Sequence, residues 1–151
     1  MDAITLTRQL IDIESISSNE AEVANYLYGE LCRIGYHVRK IPVEGDRFDV
    51  YATSPEEPNP EVVFSTHMDT VPPFIPSSED AARIYGRGSC DAKGIIAAQV
   101  AAAERLRREA IYVGLLFVVG EERDSLGAKA ANEHAANDRG HRCKYLVNGE
   151  P

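Results

Sequence analysis

The sequence lacks three features, each of which would have indicated a particular class of protein. No apolar run approaches the roughly 20 residues that a helix needs to cross a bilayer, and the first residues do not form a charged segment followed by an apolar one. Basic charge is scarce, because 16 Lys and Arg face 24 Asp and Glu and give a formal net charge of −8. We therefore expect no membrane contact, no secretion and no nucleic-acid partner, since nucleic-acid binders carry a basic face.

Cysteine is also scarce. Cys32, Cys90 and Cys143 form an odd and widely spaced set, which is not typical of a disulfide framework or a zinc finger. Free thiols in a reducing cytoplasm are the favoured interpretation. The 151 residues are 44% hydrophobic and 26% charged, the profile of an ordinary globular domain with its own core.

Hydrophobic periodicity predicts helices that alternate with strands. Ser17 or Ser18 is placed to cap the second helix, and Gly35 lies just beyond its end, where a left-handed residue is often required. The alternation is typical of an α/β sheet with substantial parallel character. The predicted elements are helices at 3–13 and 17–34, strands at 36–43, 48–54 and 61–67, a loop at 68–90, a helix at 92–109, a buried central strand at 111–120, a helix at 125–137 and a strand at 144–149.

Metal-capable side chains directly follow three of the predicted strands. Ligands bind outside the carboxyl ends of the strands in open α/β sheets, so parallel strands would bring these groups to one edge. Asp91 adjoins them from the start of the 92–109 helix, whose N-terminal amides favour anions. The groups at the strand ends are His67 after VVFST, Glu121 and Glu122 after LLFVVG, and Glu150 after YLVNG.

Taken singly, these residues have ordinary structural explanations. A lone histidine is more often structural than a metal ligand, and an adjacent Glu pair more often lies on a solvated surface. The Glu121–Glu122 pair, however, follows a core strand at a place where a turn would be usual. Lys93 and Arg87 lie near the candidate site in sequence, and either binding of an anionic substrate or a structural role fits them.

Four segments together resemble a known family. STHMDTVPP, YGRGSCDAKG, VVGEERDSLGAK and VNGEP are similar, in order and approximate spacing, to the metal-site motifs of the di-zinc metallopeptidase and amidohydrolase family. That family includes acetylornithine deacetylase, succinyl-diaminopimelate desuccinylase, aminoacylase and carboxypeptidase G. The resemblance runs from the N-terminal helices to the last residue. It implies an α/β, three-layer, zinc-exopeptidase-like catalytic domain with a largely parallel mixed sheet.

The resemblance also implies a binuclear metal centre. Zinc accepts imidazole and carboxylate ligands, and two ions about 3.5–4 Å apart need a shared carboxylate to offset their repulsion. Two zinc ions are therefore the implied cofactors, with cobalt or manganese as substitutes. The implied ligands are His67 and Glu150 for the first ion, Glu122 for the second and Asp91 as the bridge between them.

Two further residues match catalytic positions of the family. Glu121 matches the general base, which accepts a proton from the attacking water and passes it to the leaving amine. Asp69 matches the acid that orients the ligating histidine, since a carboxylate on the far ring nitrogen fixes the tautomer and raises ligand basicity.

The chain departs from the family in length. Members are typically more than twice as long: they insert a lid or dimerisation domain after the VNGEP-like motif and then complete the catalytic domain, with a final histidine for the second zinc. We therefore expect residues 1–151 to be the N-terminal portion of the catalytic domain, incomplete at the C-terminus, with the lid domain and the C-terminal catalytic segment absent. Such a fragment is expected to be inactive alone, and the full-length protein is a candidate homodimer through the missing domain.

The expected reaction is zinc-dependent hydrolysis of an amide bond in N-acyl amino acids or small peptides. GRGSCDAKG favours the deacylase or deacetylase side of the family. Two alternatives stay open: a carboxypeptidase or dipeptidase of the same family, and a non-catalytic metal-binding or interaction module.

Overall fold

A computed structural model describes residues 2–137 and 143–151. The sequence alternates between helices and strands over this part of the chain. The elements are, in order, α1 (Ala3–Ile11), α2 (Ala21–Arg33), β1 (His37–Pro42), β2 (Phe48–Thr53), β3 (Val62–His67), β4 (Ser78–Glu79), β5 (Ile84–Tyr85), α3 (Lys93–Arg108), β6 (Gly114–Val118), α4 (Leu126–Asn137) and β7 (Tyr145–Asn148).

Five strands form one mixed sheet in the order β1-β2-β6-β3-β7. β3 runs parallel to both β6 and β7, while β2 is antiparallel to both β1 and β6. The most apolar predicted strand, β6, lies in the middle of this order, and four of its five residues are buried. The predicted α/β class with a largely parallel mixed sheet is therefore confirmed, with the parallel pairing on the β6-β3-β7 side.

Helices cover the sheet on both faces and make three layers. The larger core cluster joins α1, α2 and α3 to one face through residues such as Leu27, Ile96 and Phe117, all fully buried. A smaller cluster packs Ala130 and Ala131 of α4 against the other face. Small side chains let a helix approach a sheet closely, and the alanine-rich α3 packs on β3 and β6 as its composition predicts.

The start of α2 differs from the sequence prediction. Neither serine caps the helix: Glu20 occupies the N-cap position and makes no side-chain capping bond. Ser17 instead donates a hydrogen bond from its hydroxyl to Asp69, 2.7 Å away, and Ser18 adopts a left-handed backbone with φ of 81°. Ser17 therefore takes part in a tertiary contact rather than in a helix cap, while the amide of Ser18 donates locally to Glu20 at 3.0 Å.

The predicted loop at 68–90 contains a short hairpin that periodicity did not reveal. β4 and β5 are two residues each, too short to show an alternating pattern. The Asp80 carboxylate closes the turn between them by accepting hydrogen bonds from the amides of Ala82 and Arg83 at 2.7 and 2.9 Å. In residues 2–137 and 143–151 no helix has the length and apolar character to cross a membrane.

Candidate metal centre

The carboxyl ends of three neighbouring strands bring the candidate ligands to one edge of the sheet. In the parallel β3–β6 pair, His67 lies opposite Val118, three residues before Glu121. In the parallel β3–β7 pair, Ser65 lies opposite Asn148, two residues before Glu150. The strand-end prediction for these side chains is therefore met by the sheet register.

Three side chains converge on a common point at this edge. His67, Asp91 and Glu150 each offer one ligand atom, and these atoms all lie within 4.8 Å of one another. The Nε2 atom of His67 is 2.9 Å from Oδ1 of Asp91 and 3.9 Å from Oε2 of Glu150. One imidazole nitrogen and two carboxylates are donors that zinc accepts, so this set fits a divalent ion.

His67 is fixed by its far ring nitrogen. Its side chain is 1% exposed, and Nδ1 lies 2.9 Å from the backbone oxygen of Asp69 and 3.4 Å from the Oδ1 atom of that residue. In the neutral imidazole a proton on Nδ1, donated to Asp69, leaves Nε2 as the lone-pair nitrogen that a metal ion needs, whereas in the protonated ring Nε2 donates to Asp91. Burial lowers the pKa of His67, but hydrogen bonds with Asp69 and Asp91 and the charges of Asp69 and Glu150 outweigh burial and raise this pKa to about 9.

Asp69 contacts more of the site than the resemblance implies. The side chain is fully buried, and its carboxylate accepts hydrogen bonds from the Ser17 hydroxyl at 2.7 Å and from the amides of Glu121 and Glu122 at 3.0 and 3.1 Å. Burial alone would raise its pKa, yet the bonds with His67, Ser17 and Glu121 hold the pKa of Asp69 below its usual value. Asp69 therefore links the histidine to the backbone of the glutamate pair.

The two glutamates face the centre from the loop after β6. The Oε2 atom of Glu121 lies 4.0 Å from Nε2 of His67, and its side chain is 46% exposed. Glu122 lines a cavity together with Asp91 but lies outside the three-residue cluster. Burial raises the pKa of Glu122, and the negative charges of Asp91, Asp69 and Glu121 add to this effect.

Gly149 sets the approach of Glu150 to the centre. Its amide donates to the Ser65 carbonyl at 2.8 Å, and its own carbonyl accepts from the Thr66 hydroxyl at 2.8 Å. A Cβ atom at this position would lie 2.4 Å from Ile95 and 2.7 Å from the Gln99 amide nitrogen. Only glycine lets the strand end pack this closely on α3.

Lys93 and Arg87 both donate hydrogen bonds to backbone carbonyls. Lys93 is 1% exposed and donates from Nζ to the Ile13 carbonyl at 2.6 Å. Arg87 donates to the carbonyls of Pro72 and Pro73 at 3.4 and 3.2 Å, and so holds the loop that follows Asp69. Burial favours the structural role for Lys93, whereas Arg87 also lines the cavity shared by Asp91 and Glu122, so both of its roles stay open.

The N-terminal segment also belongs to the site, which sequence reasoning missed. Ser15 donates to the Met68 carbonyl at 2.8 Å, and Ile16 forms a parallel bridge with Thr70. These contacts bring the Ser17 hydroxyl to Asp69. The only local signal is a run of serines before a helix, which favours a cap rather than a contact 52 residues away.

The comparisons with known proteins agree with this geometry. The family model described as peptidase family M20/M25/M40 matches residues 63–151, the segment that contains all six candidate residues. The chain belongs to this peptidase family. The resemblance carried by the four sequence motifs is thus confirmed at the family level.

The chain spans less than half the length of the relatives that it matches. A probable carboxypeptidase of Talaromyces marneffei is 37% identical over 174 residues, covering 98% of this chain but 38% of that protein. The crystal structure of an M20 family metallo-carboxypeptidase from Sulfolobus solfataricus matches 98% of this chain and 37% of its own, with a TM-score of 0.81 and 20% identity. A dinuclear metal binding M20 peptidase from Bacillus subtilis matches 97% of this chain and 41% of its own, with a TM-score of 0.67 and 16% identity. At these identities the structural likeness shows a shared fold.

Proposed function

We propose that residues 1–151 are the N-terminal portion of the catalytic domain of a zinc-dependent peptidase. The observation that carries this proposal is the cluster of His67, Asp91 and Glu150, whose ligand atoms lie within 4.8 Å of one another beside Glu121. His67 and Glu150 would hold the first ion, Glu122 the second, and Asp91 would bridge the two. The donors are imidazole and carboxylate, so zinc is the favoured ion, with cobalt and manganese as substitutes.

Glu121 and Asp69 have separate roles in the proposed hydrolysis of an amide bond. When bound, the divalent ions supply Lewis-acid polarisation of the scissile carbonyl and a low-pKa water. Glu121 accepts a proton from the attacking water on its exposed carboxylate and returns it to the leaving nitrogen. Asp69 orients His67 and fixes the Glu121 backbone through the amide hydrogen bond at 3.0 Å. One carboxylate of the adjacent pair thus serves the metal while its neighbour faces the substrate.

The proposed substrate is a small peptide cleaved next to its free carboxyl end. Support comes from the relative described as a probable carboxypeptidase and from the solved metallo-carboxypeptidase with the same fold. An N-acyl amino acid deacylase is the second candidate, because it breaks the same kind of amide bond and because GRGSCDAKG favours that side of the family. The two activities differ only in the acyl group that is accepted.

An assay on matched substrates separates these candidates. The product of the complete gene would be incubated with zinc, cobalt or manganese and with dipeptides, tripeptides, N-acetylornithine and N-succinyl-diaminopimelate. We expect release of C-terminal amino acids from the peptides. Turnover of the N-acyl amino acids alone would favour the deacylase, and stoichiometric metal binding without any turnover would indicate a non-catalytic module.

The 151-residue chain assayed in parallel tests its activity as an isolated unit. We expect no turnover from it, because the cavity that Asp91 and Glu122 line would offer a second ion two carboxylates and no histidine, whereas catalytic zinc sites use three protein ligands. Turnover equal to that of the complete gene product would contradict this expectation. The cytoplasmic location predicted from the cysteines and the homodimer implied by the resemblance stay predictions, to be checked by cell fractionation and by light scattering of the complete protein.

A further inference from the structure

We propose that the buried ion pair of Glu20 and Arg47 is a positioning device for the loop that carries Glu121 and Glu122. Neither residue belongs to the candidate metal centre, and both are remote in sequence from the residues that form it. The inference rests on the proposed function, because it assigns to the pair the task of holding the general base and a metal ligand in register with His67.

The pair is fully withdrawn from solvent and joined by two bonds. Glu20 is 0% exposed and Arg47 6% exposed. The Nε and Nη2 atoms of Arg47 donate to the two carboxylate oxygens of Glu20 at 2.7 and 2.9 Å. The hydrogen bond to Glu20 raises the pKa of Arg47, so the guanidinium stays charged. A bidentate fork fixes the plane of the guanidinium as well as its position.

The guanidinium of Arg47 lies against Gly120, the residue between the end of β6 and Glu121. A Cβ atom on Gly120 would be 2.6 Å from Nη2 of Arg47 and 2.6 Å from Oδ1 of Asp124, and Gly120 has a φ of +72°. The Nη1 atom of Arg47 is 4.0 Å from Oδ2 of Asp124. Arg47 therefore packs directly on the residue before Glu121 and faces an acid from the far end of the same loop.

The loop is held from a second direction by Asp69. The Asp69 carboxylate accepts the amides of Glu121 and Glu122 at 3.0 and 3.1 Å. The charge of Asp69 is also one of the influences that raise the pKa of Arg47, so the two groups interact across the loop. The peptide that carries the two glutamates thus lies between a fixed carboxylate and a fixed guanidinium.

If the ion pair only stabilised the fold, mutations of the pair would change stability without a separate effect on kcat. Replacing both members of a buried ion pair with well-packed apolar groups of similar size often leaves stability unchanged or increased, because the desolvation cost disappears. Removing one member leaves an unpaired buried charge and costs roughly 3–5 kcal/mol. Stability is therefore separable from positioning in this pair, since only the charged fork fixes the guanidinium against Gly120.

The test is the double variant Glu20→Met with Arg47→Met in the metal-loaded product of the complete gene. We expect thermal stability close to that of the parent and unchanged zinc content, with kcat lowered about 10- to 100-fold because small misplacements of a catalytic group carry such costs. KM should change little, since neither residue touches substrate. A parent-like kcat at equal zinc content would overturn the positioning role.

Two comparison variants make the outcome decisive. The pair Glu30→Gln with Arg33→Met removes an exposed ion pair of 2.7 Å on α2, with side chains 23% and 62% exposed, and should leave kcat unchanged. Glu121→Gln tests the proposed function separately: if it stays active, that function fails, whereas an inactive Glu121→Gln beside a fully active double variant overturns only the present inference. Should the double variant not fold, Arg47→Lys keeps the charge without the fork, and a parent-like kcat there overturns the inference.

Discussion

The Nε2 atom of His67 lies 2.9 Å from Oδ1 of Asp91, although the two residues are 24 positions apart and belong to different elements. His67 ends β3, and Asp91 lies just before α3, which packs on the same strand. The candidate metal centre therefore depends on how the helix layer packs on the sheet as well as on the strands.

Asp91→Ala should remove the group that both ions would share. Loss of a bridging carboxylate leaves two like charges without their common ligand, so we expect the zinc content to fall and turnover to be lost. The measurement is zinc content by elemental analysis together with peptide hydrolysis. Glu133→Ala on the exposed side of α4 is the matched control. Parent-like zinc content in Asp91→Ala would contradict the assigned bridge.

Glu121→Gln should separate catalysis from metal binding. The amide keeps the size of the side chain but cannot take up a proton, so we expect turnover to fall by about 10²–10⁴ while the zinc content is retained. Its backbone bond to Asp69 does not involve the changed atoms. Near-normal turnover would refute the assignment of Glu121 as general base. A matching loss of zinc would show instead that this residue is a ligand.

The sequence predicts the positions of the candidate ligands at the strand ends because their signal is local. His67 and Glu150 each follow a short apolar run, and the order of strands then brings them to one edge. The Gly35 position is predicted for a similar reason, since the left-handed residue with φ of +92° follows the C-cap residue of α2.

The sequence does not reveal the hydrogen bonds that hold the site residues and their loop, because these bonds join residues that are distant in sequence. The Ser17 hydroxyl reaches Asp69 across 52 positions, and Glu20 reaches Arg47 across 27. A serine before a helix favours a capping role in any single-sequence argument, and nothing local indicates that Glu20 will be fully buried. The partners of Ser17 and Glu20 are determined by how the start of α2 packs on the sheet.

Ser17→Ala tests the support of Asp69. The change leaves one side of a fully buried carboxylate without its hydroxyl donor, which typically costs about 1–3 kcal/mol. We expect lower stability in urea and a zinc affinity reduced about 10- to 100-fold, as for other partners of groups behind a metal ligand. Ser17→Thr keeps the hydroxyl and is the conservative control. Equal zinc affinity in all three proteins would show that Ser17 does not act on the centre.

Asp49 should make stability fall as pH rises. This residue is fully buried in β2, where Oδ1 accepts the Val119 amide at 3.0 Å and Oδ2 has no hydrogen-bond partner among the described residues. Burial raises the pKa of Asp49 to about 7, although the Val119 bond and the charge of Arg47 act in the opposite direction and Glu20 adds to the rise. The folded chain therefore holds this proton more tightly than the unfolded chain, whose Asp titrates near pH 4.

The sign of the effect follows from proton linkage. Between about pH 4 and pH 7 the folded state binds more protons at Asp49 than the unfolded state, so stability from this group declines over that window and the penalty is complete above it. Asp49→Asn keeps an acceptor for Val119 without the charge. We expect it to match the parent near pH 4 and to exceed it by roughly 2–4 kcal/mol at pH 8. Urea denaturation from pH 4 to pH 8 measures the difference, with exposed Asp46→Asn as control. A constant offset between parent and Asp49→Asn over this range would show that Asp49 does not titrate between the two states.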